Sequence, residues 1–543
     1  MRSTMQETPL SIATLVRYGT TVHGSSEVIT WTGEGARSAT YAEVGRRAAR
    51  LAHALRGLGV RGDDRVGTFM WNNQEHLEAY LAVPAMGAVL HPLNIRLFPD
   101  QLAFIADHGG DKVVLVDGSV LPVLAKVLGQ LPQVEHVVVN GPADLSVLEG
   151  TTATVHAYED LLAGQPDEFD WVDPDDETDA AAMCYTSGTT GNPKGVAYSH
   201  RSIYLHSMQI CMTDGFAMGQ RDRVLLIVPM FHVLAWGTPY AAMMSGASLV
   251  MPDRFLTPEP LADLIETARP TLAGGVPTVW TALLALLDQT PRDMSSLRDV
   301  IVGGSACSRT LMEGLERHGI HVTHAWGMTE TSPLGSISRE PGGVEGEDAW
   351  RYRITQGRLA ASVQARLVGP DGSEVPRDGT AVGELQVRGP WITGSYVRDD
   401  DPAKFDDGWL RTGDVGSITP DGFLTLTDRA KDVIKSGGEW ISSVALENAL
   451  MAHPAVAEAS VVGVPDEKWG ERPLATVVVR EGAEVGADEL RDFLAERVAH
   501  WQLPERWSFV DEVPKTSVGK FDKKVIRRRY ADGALEVQTL GSK

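Results

Sequence analysis

Apolar positions recur in two registers along this chain. Short apolar runs of strand character stand at Arg65–Met70, Lys112–Asp117, His136–Val139, Val224–Val228 and Val300–Gly303. Between them, apolar residues fall three and four apart, as at Val44, Ala48, Leu51 and Leu55, and across Leu261–Ala268 and Thr310–His318, and predict helices. Thr40-Tyr-Ala-Glu43 predicts a capping box at the start of the first stripe, and Gly57 and Gly59 its end. Strands alternating with helices predict an α/β fold with largely parallel sheets. From about Val363 the pattern changes. Val363–Val368, Gly383–Arg388 and Gly422–Thr427 alternate polar with apolar, and turns at Pro370-Asp-Gly372 and Pro420-Asp-Gly422 separate them, predicting a β-rich subdomain. The charged connector Asp428–Asp432 marks a domain boundary. Beyond it a smaller α/β pattern runs through a helix at Val444–Ala452, strands at Ala459–Val464 and Ala475–Val479, and a helix at Ala487–Ala499.

One stretch resists a simple reading. From Val224 to Met251 there is no Asp, Glu, Lys or Arg, so a hydropathy window flags a membrane span. Pro229, His232, Gly237, Pro239, Ser245 and Gly246 interrupt it and predict several short buried pieces, part of them lining an apolar pocket. Met1–Gly19 carries no continuous apolar run, so no signal peptide is read.

Composition narrows the class further. The chain has 543 residues, 43% hydrophobic and 22% charged, which is the make-up of a soluble globular protein large enough for several cores. Its net charge of −23 argues against a nucleic-acid binder, which needs a basic face, but not against a small polyanion held locally. Cys184, Cys211 and Cys307 form no paired motif, as expected in a reducing, cytoplasmic compartment.

Three apparent motifs fail on context. Gly57-Leu-Gly-Val-Arg-Gly62 follows a helix and precedes a strand, the reverse of a dinucleotide-binding turn. His321-Val-Thr-His324 has no further zinc ligands nearby, and Gly303–Cys307 is no nucleophile elbow because Cys307 stands where the second glycine belongs. Tyr185-Thr-Ser-Gly-Thr-Thr-Gly-Asn-Pro-Lys-Gly195 is different. It follows the apolar run Ala180–Cys184. Its glycines let backbone approach an anion, its hydroxyls and N–H groups can donate to phosphate, and Lys194 adds a positive charge.

This loop resembles the phosphate-binding loop of the adenylate-forming superfamily, which includes acyl-CoA synthetases, luciferases and peptide-synthetase adenylation domains. Trp326-Gly-Met-Thr-Glu330, Arg411-Thr-Gly-Asp414, Asp428–Asp432 with Lys435-Ser-Gly-Gly-Glu-Trp440, and Pro514–Lys520 resemble the family's other motifs in the same order. The resemblance implies a fold of two α/β sheet subdomains and a β-rich subdomain in residues 1–428, a hinge at 429–432 centred on Lys431, and a small mobile α+β C-terminal domain in 433–543. It implies a ligase that first joins a carboxylate to ATP, giving acyl-AMP and pyrophosphate, and then passes the acyl group to the thiol of coenzyme A.

The implied roles fall on matching residues. Thr186, Ser187, Gly188, Thr189, Thr190, Gly191 and Lys194 hold phosphates, and Thr186 and Glu330 hold Mg²⁺. Gly304, His324, Ala325, Trp326, Gly327 and Thr329 border the adenine side. Asp414 and Arg429 take the ribose. Lys520 serves the first half-reaction. Lys435 and Trp440, in the glycine loop, serve the second after the C-terminal domain rotates. His232, Trp236, Gly303 and Met328 line the acid pocket. Relatives that activate amino acids carry an Asp near Phe231-His232. Pro229–Trp236 has none, and most resembles bacterial medium- and long-chain fatty acyl-CoA synthetases, in which the matching Trp gates the acyl tunnel. Two other readings stay open: an aryl or small acid, and delivery to a carrier protein, an amine or another nucleophile. Homodimers are common in the resembled group.

Overall fold

The structure is a computed structural model and describes residues 1–186, 192–399, 401–436, 439–517 and 519–541. Three sheets organise the described residues. The first has seven strands in the order Thr154–Ala157, His136–Asn140, Asp111–Asp117, Arg65–Phe69, Val89–Pro92, Ala180–Tyr185 and Gly195–Ser199. All neighbours run parallel except the last pair, an antiparallel hairpin in which Tyr185 faces Gly195. The glycine-rich motif therefore begins at the end of one strand of this pair and finishes at the start of the other.

The second sheet carries Val322–Gly327, Asp299–Val302, Leu272–Gly275, Arg223–Leu226, Ser248–Met251 and Glu27–Trp31 as parallel neighbours. Glu27–Trp31 is a strand the local pattern did not announce, and its pairing partner stands far along the chain.

Strand runs are continuously apolar because both faces are covered. Val224 and Leu226 face a core shared with Val66, Leu90, Val113 and Leu115 of the first sheet. Leu225 and Ile227 face outward, onto helices Pro258–Ala268, Pro277–Gln289 and Arg309–Glu316. The first sheet buries Val114, Val116, Val137 and Val139 against helices Pro99–Gly109 and Leu121–Leu128. Helices Ile12–Val22, Tyr41–Gly57, Gln74–Ala85 and Thr238–Ser245 fill the space between the sheets. The predicted capping box forms: the Thr40 hydroxyl accepts from Glu43 N at 3.2 Å, and the Glu43 carboxylate accepts from Thr40 N at 2.7 Å.

The β-rich part differs from expectation in one respect. It shares hydrogen bonds with the second sheet instead of forming a sheet of its own. From Val322–Gly327 the ladder turns antiparallel through Leu334–Ile337, Gly357–Leu359, Phe423–Arg429, Trp409–Ile418, Gly383–Arg388 and Gln364–Val368. Its core is separate, built on Leu367, Leu385, Val387, Leu410 and Leu424.

After Arg429 the chain makes a tight turn, with Asp432 N and Val433 N both donating to Arg429 O, and enters a six-stranded sheet with its own core around Trp507, Val461 and Ala475. The helix expected over Ala487–Ala499 ends at Ala495. This unit docks over the cleft between the two large sheets.

Candidate active site

A cavity of about 740 Å³ opens where the two large sheets, the β-rich ladder and the C-terminal unit meet. Its walls include Thr186, Lys194, His232, Trp236, Gly303, Gly304, Ala325–Glu330, Arg429 and Lys520. Residues from five separated motifs thus meet in one space.

Local backbone explains several placements. Val322–Gly327 ends at the cavity rim, and the short turn Thr329–Thr331 after it presents Glu330. Glu330 is buried, and the Tyr396 hydroxyl donates to its Oε1 at 2.8 Å. The Trp326 indole N–H donates to Asp414 Oδ2 at 2.7 Å, while Arg429 Nε stands 3.3 Å from Oδ1. The indole lies so close over Gly335 that a Cβ there would sit 2.3 Å from the ring. Trp326 is therefore both a core residue and the group that orients Asp414.

Lys520 enters from the C-terminal unit. Gly304, at φ +81°, leaves room for it: a Cβ there would sit 3.2 Å from Lys520 Cε. Burial, reinforced by the Arg429 charge, lowers the Lys520 pKa to about 8, against the opposing pull of Asp414 and Glu330. Burial, with the charges of Lys520 and Arg96, pushes His232 down to about 3, so its imidazole is neutral at pH 7.

Trp236 stands at the end of an unusual turn. Val233, Leu234, Ala235 and Trp236 have φ of 36°, 44°, 51° and 55°, four consecutive left-handed residues, none of them glycine. Each costs about 1–2 kcal/mol relative to a right-handed conformation, and such strain persists where packing over-determines it. The indole supplies that packing. It lies against Gly274 and Gly303, where a Cβ would come within 3.3 Å and 3.2 Å of the ring. Behind it is a mostly apolar space, lined by Met218, Val224, Leu226, Leu272 and Ile301 with Thr238, of only about 20 Å³.

Other sequence-predicted residues stand elsewhere. His324 is buried with its Nδ1 unpartnered, is pushed down to about 4 by burial, and is not among the cavity walls. Lys435 is exposed on strand Ile434–Ser436 of the C-terminal unit, paired with the backbone of Trp440, and away from the cavity. Lys431 lies in the turn after Arg429, where burial and then the Arg429 charge lower its pKa. Ser187, Gly188, Thr189, Thr190 and Gly191 lie outside the described residues.

Lys194, expected to bring a positive charge to the phosphates, is paired with carboxylates in this structure. Its Nζ pairs with Asp401 and, at 3.3 Å, with Asp399, and sits 4.8 Å over the Tyr396 ring. Partial burial opposes its charge, but the two aspartates hold its pKa above the usual lysine value. Sequence reasoning missed Tyr396, Asp399 and Asp401. The acidic run Asp399–Asp401 was legible as charge, but its partner was not. His108, also missed, shares a 2.6 Å hydrogen bond with the Tyr185 hydroxyl at the base of the hairpin.

The donor set can share a hard cation with substrate oxygens. It offers one buried carboxylate, Glu330, and the nearby Thr186 hydroxyl, and among the described residues no group of three or more His, Cys, Asp or Glu gathers as a cage. None of the described helices is long and apolar enough to cross a membrane.

Comparison with known proteins agrees with this geometry. Residues 20–397 match the model of the AMP-binding enzyme family, and residues 445–520 match that of the AMP-binding enzyme C-terminal domain. The chain is 42% identical to a medium-chain-fatty-acid–CoA ligase of Ectopseudomonas oleovorans, over 98% of each chain. It is 44% identical to a long-chain-fatty-acid–CoA ligase of Thermus thermophilus, over 97% of each, and 41% identical to a 3-methylmercaptopropionyl-CoA ligase of Ruegeria lacuscaerulensis, over 98% of this chain and 99% of the relative. The crystal structure of the anthranilate CoA ligase AuaEII with anthranoyl-AMP superposes with a TM-score of 0.87 at 26% identity, covering 98% of this chain and all of that one. With matched segments from residue 20 to residue 520 and relatives aligned nearly end to end, this chain belongs to the AMP-binding enzyme family.

Proposed function

We propose that this enzyme is an ATP-dependent acid–thiol ligase that activates a medium- or long-chain fatty acid and transfers it to coenzyme A. The observation that carries the reading is the convergence of Lys520, Glu330, Trp326 and Arg429 on one cavity that Phe216, Val233 and Trp236 also line, with Asp414 held by Trp326 and Arg429. The three whole-chain relatives at 41–44% identity described above are CoA ligases, so transfer to a carrier protein or an amine is not favoured.

In the first half-reaction a carboxylate oxygen of the acid attacks the α-phosphorus of ATP, and the bond to the β-phosphate bridging oxygen breaks. Two anions must approach. The Lys520 ammonium is suited to sit between them and to stabilise the charge that develops, a role worth roughly 3 kcal/mol for a preorganised donor. Asp414 accepts from ribose hydroxyls, held in orientation by Trp326 and Arg429. The neutral imidazole of His232 borders the acid without adding a second positive charge. Glu330 and Thr186 would hold Mg²⁺ through hard oxygen donors, and the ion would supply positive charge against the phosphates.

In the second half-reaction the thiolate of coenzyme A attacks the acyl carbonyl, and AMP leaves with the electron pair. Lys435 is exposed and is not among the cavity walls in this arrangement, which supports a turn of the C-terminal domain about Lys431 between the two steps. The acyl chain points toward Trp236. With about 20 Å³ free behind the indole, a medium or long chain enters only when Trp236 moves. The reducing, cytoplasmic setting fits three free cysteines.

The test is pyrophosphate release over a panel of straight-chain acids, with product masses read with and without coenzyme A. Acyl-CoA and AMP from C8–C16 acids support the reading. Turnover confined to aromatic acids, or adenylate that coenzyme A does not consume, refutes it.

A further inference from the structure

Lys520 projects from a closed tip of the C-terminal unit. Thr516 N donates to Lys520 O at 2.7 Å, Gly519 N donates to Thr516 O at 2.9 Å, and the Thr516 hydroxyl accepts from Lys520 N at 3.2 Å. Just outside the tip, Asp522 N donates to Pro514 O at 2.7 Å. Whatever fixes this tip fixes the lysine.

Three residues of the large N-terminal region hold it, and none belongs to a motif singled out in the sequence. Asn94, just after strand Val89–Pro92 of the first sheet, donates from Nδ2 to the Ser517 hydroxyl at 3.0 Å. Arg96 donates from Nη1 to Ser517 O at 3.3 Å, and its guanidinium stands 5.9 Å over the Phe231 ring, beside His232. From the second sheet's side, Thr278, in the first turn of helix Pro277–Gln289, donates its hydroxyl to Gly519 O at 3.2 Å. The tip is thus gripped from both walls of the cleft. These partners are 241 to 423 residues apart in sequence, so the bonds exist only while the two parts of the chain are docked this way.

We propose that Asn94, Arg96 and Thr278 form a docking clamp: positioning residues that act through Ser517 and Gly519 to place Lys520 for the first half-reaction, and that are released in the second. The proposal rests on the ligase reading above and adds what holds its first conformation. Because the clamp bonds Ser517 and Gly519 and not Lys520 itself, its loss lowers the population of correctly placed Lys520 without altering the lysine. It acts on adenylation alone.

The experiment measures both half-reactions in the full chain. Acid-dependent ATP–pyrophosphate exchange reads the first, and thioester formation from preformed acyl-AMP and coenzyme A reads the second. Asn94→Ala and Ser517→Ala each lower exchange about three- to tenfold, the equivalent of one hydrogen bond, and the double variant falls no further because the two share one bond. Thr278→Val lowers exchange by a similar factor, and Thr278→Ser restores it. Thioester formation stays at the wild-type rate or rises. Equal losses in both half-reactions, independent losses in the double variant, or unchanged exchange in every variant overturn the clamp. If the wild-type chain exchanges pyrophosphate with no acid, the ligase reading fails, and the clamp is then judged by tryptic cleavage after Lys431. Faster cleavage in the variants upholds it, and an unchanged rate overturns it.

Discussion

Lys520 offers the sharpest test of the chemistry, through pH. Its pKa of about 8 in the free protein, against a usual lysine value of 10.5, comes chiefly from burial and then from Arg429. The group is useful only when charged, so adenylation requires the protonated form. About nine-tenths of it is protonated at pH 7, one half at pH 8 and about one-tenth at pH 9. For the first half-reaction, measured as pyrophosphate exchange without a thiol, kcat/KM reports the free enzyme and is expected to fall tenfold per pH unit above about 8. The kcat profile reports the complex. There the substrate anions beside the ammonium favour its charge, so the limb moves to higher pH. The stability linkage has the opposite sign. Between pH 8 and 10.5 the unfolded chain binds the proton that the folded chain has released, so this group makes stability rise with pH across that window. Activity lost there is not caused by this group destabilising the fold. Few other cavity groups compete for the assignment, since His232 titrates near 3 and the Tyr396 hydroxyl is pushed upward by burial and by Glu330. Lys520→Arg keeps a charge at all these pH values and is expected to abolish the limb at a reduced rate, because a guanidinium does not replace a point charge in geometry. Lys520→Ala is expected to lose about 10²–10³ in exchange while sparing thioester formation from preformed acyl-AMP. An alkaline limb near 8 that survives in Lys520→Arg, or a wild-type profile flat to pH 10, refutes the reasoning.

Three further outcomes follow from the geometry. Trp236→Ala joins the apolar space behind the indole to the cavity, and kcat/KM should rise roughly fourfold per added methylene for longer acids, at about 0.8 kcal/mol each; an unchanged chain-length profile on a homologous acid series argues against the gate. Trp326→Phe keeps a ring but removes the donor to Asp414, a bond to a charged group worth about 1.5–3 kcal/mol, so KM for ATP should rise roughly 10- to 100-fold with KM for the acid unchanged, as steady-state kinetics would show. Asp401→Asn releases Lys194 from one half-exposed pair worth at most about 1 kcal/mol, so KM for ATP should fall by up to about fivefold; a rise would mean that the aspartate serves the nucleotide and does not compete with it.

Part of the structure around the cavity was legible in the sequence because it is local. The strand ending at Tyr185 pairs with the one beginning at Gly195 a few residues on, and Thr40–Glu43 caps its helix with neighbours three residues apart. The layered fold was legible because strands covered on both faces read as unbroken apolar runs. What the tertiary structure decided is which distant residues meet. Tyr396 reaches Glu330, Asp401 occupies Lys194, and Trp326 aims Asp414 because the β-rich ladder continues from the second sheet and its strand connection through Tyr396 and Asp401 lines the cavity. Strand Glu27–Trp31 exists because Ser248–Met251 offers it an edge. The left-handed turn at Val233–Trp236 has no glycine to announce it, and is held by an indole seated against Gly274 and Gly303 from other strands. A side chain's identity fixes its chemistry, but its partner, and so its charge state and its role, depends on topology that no local window contains.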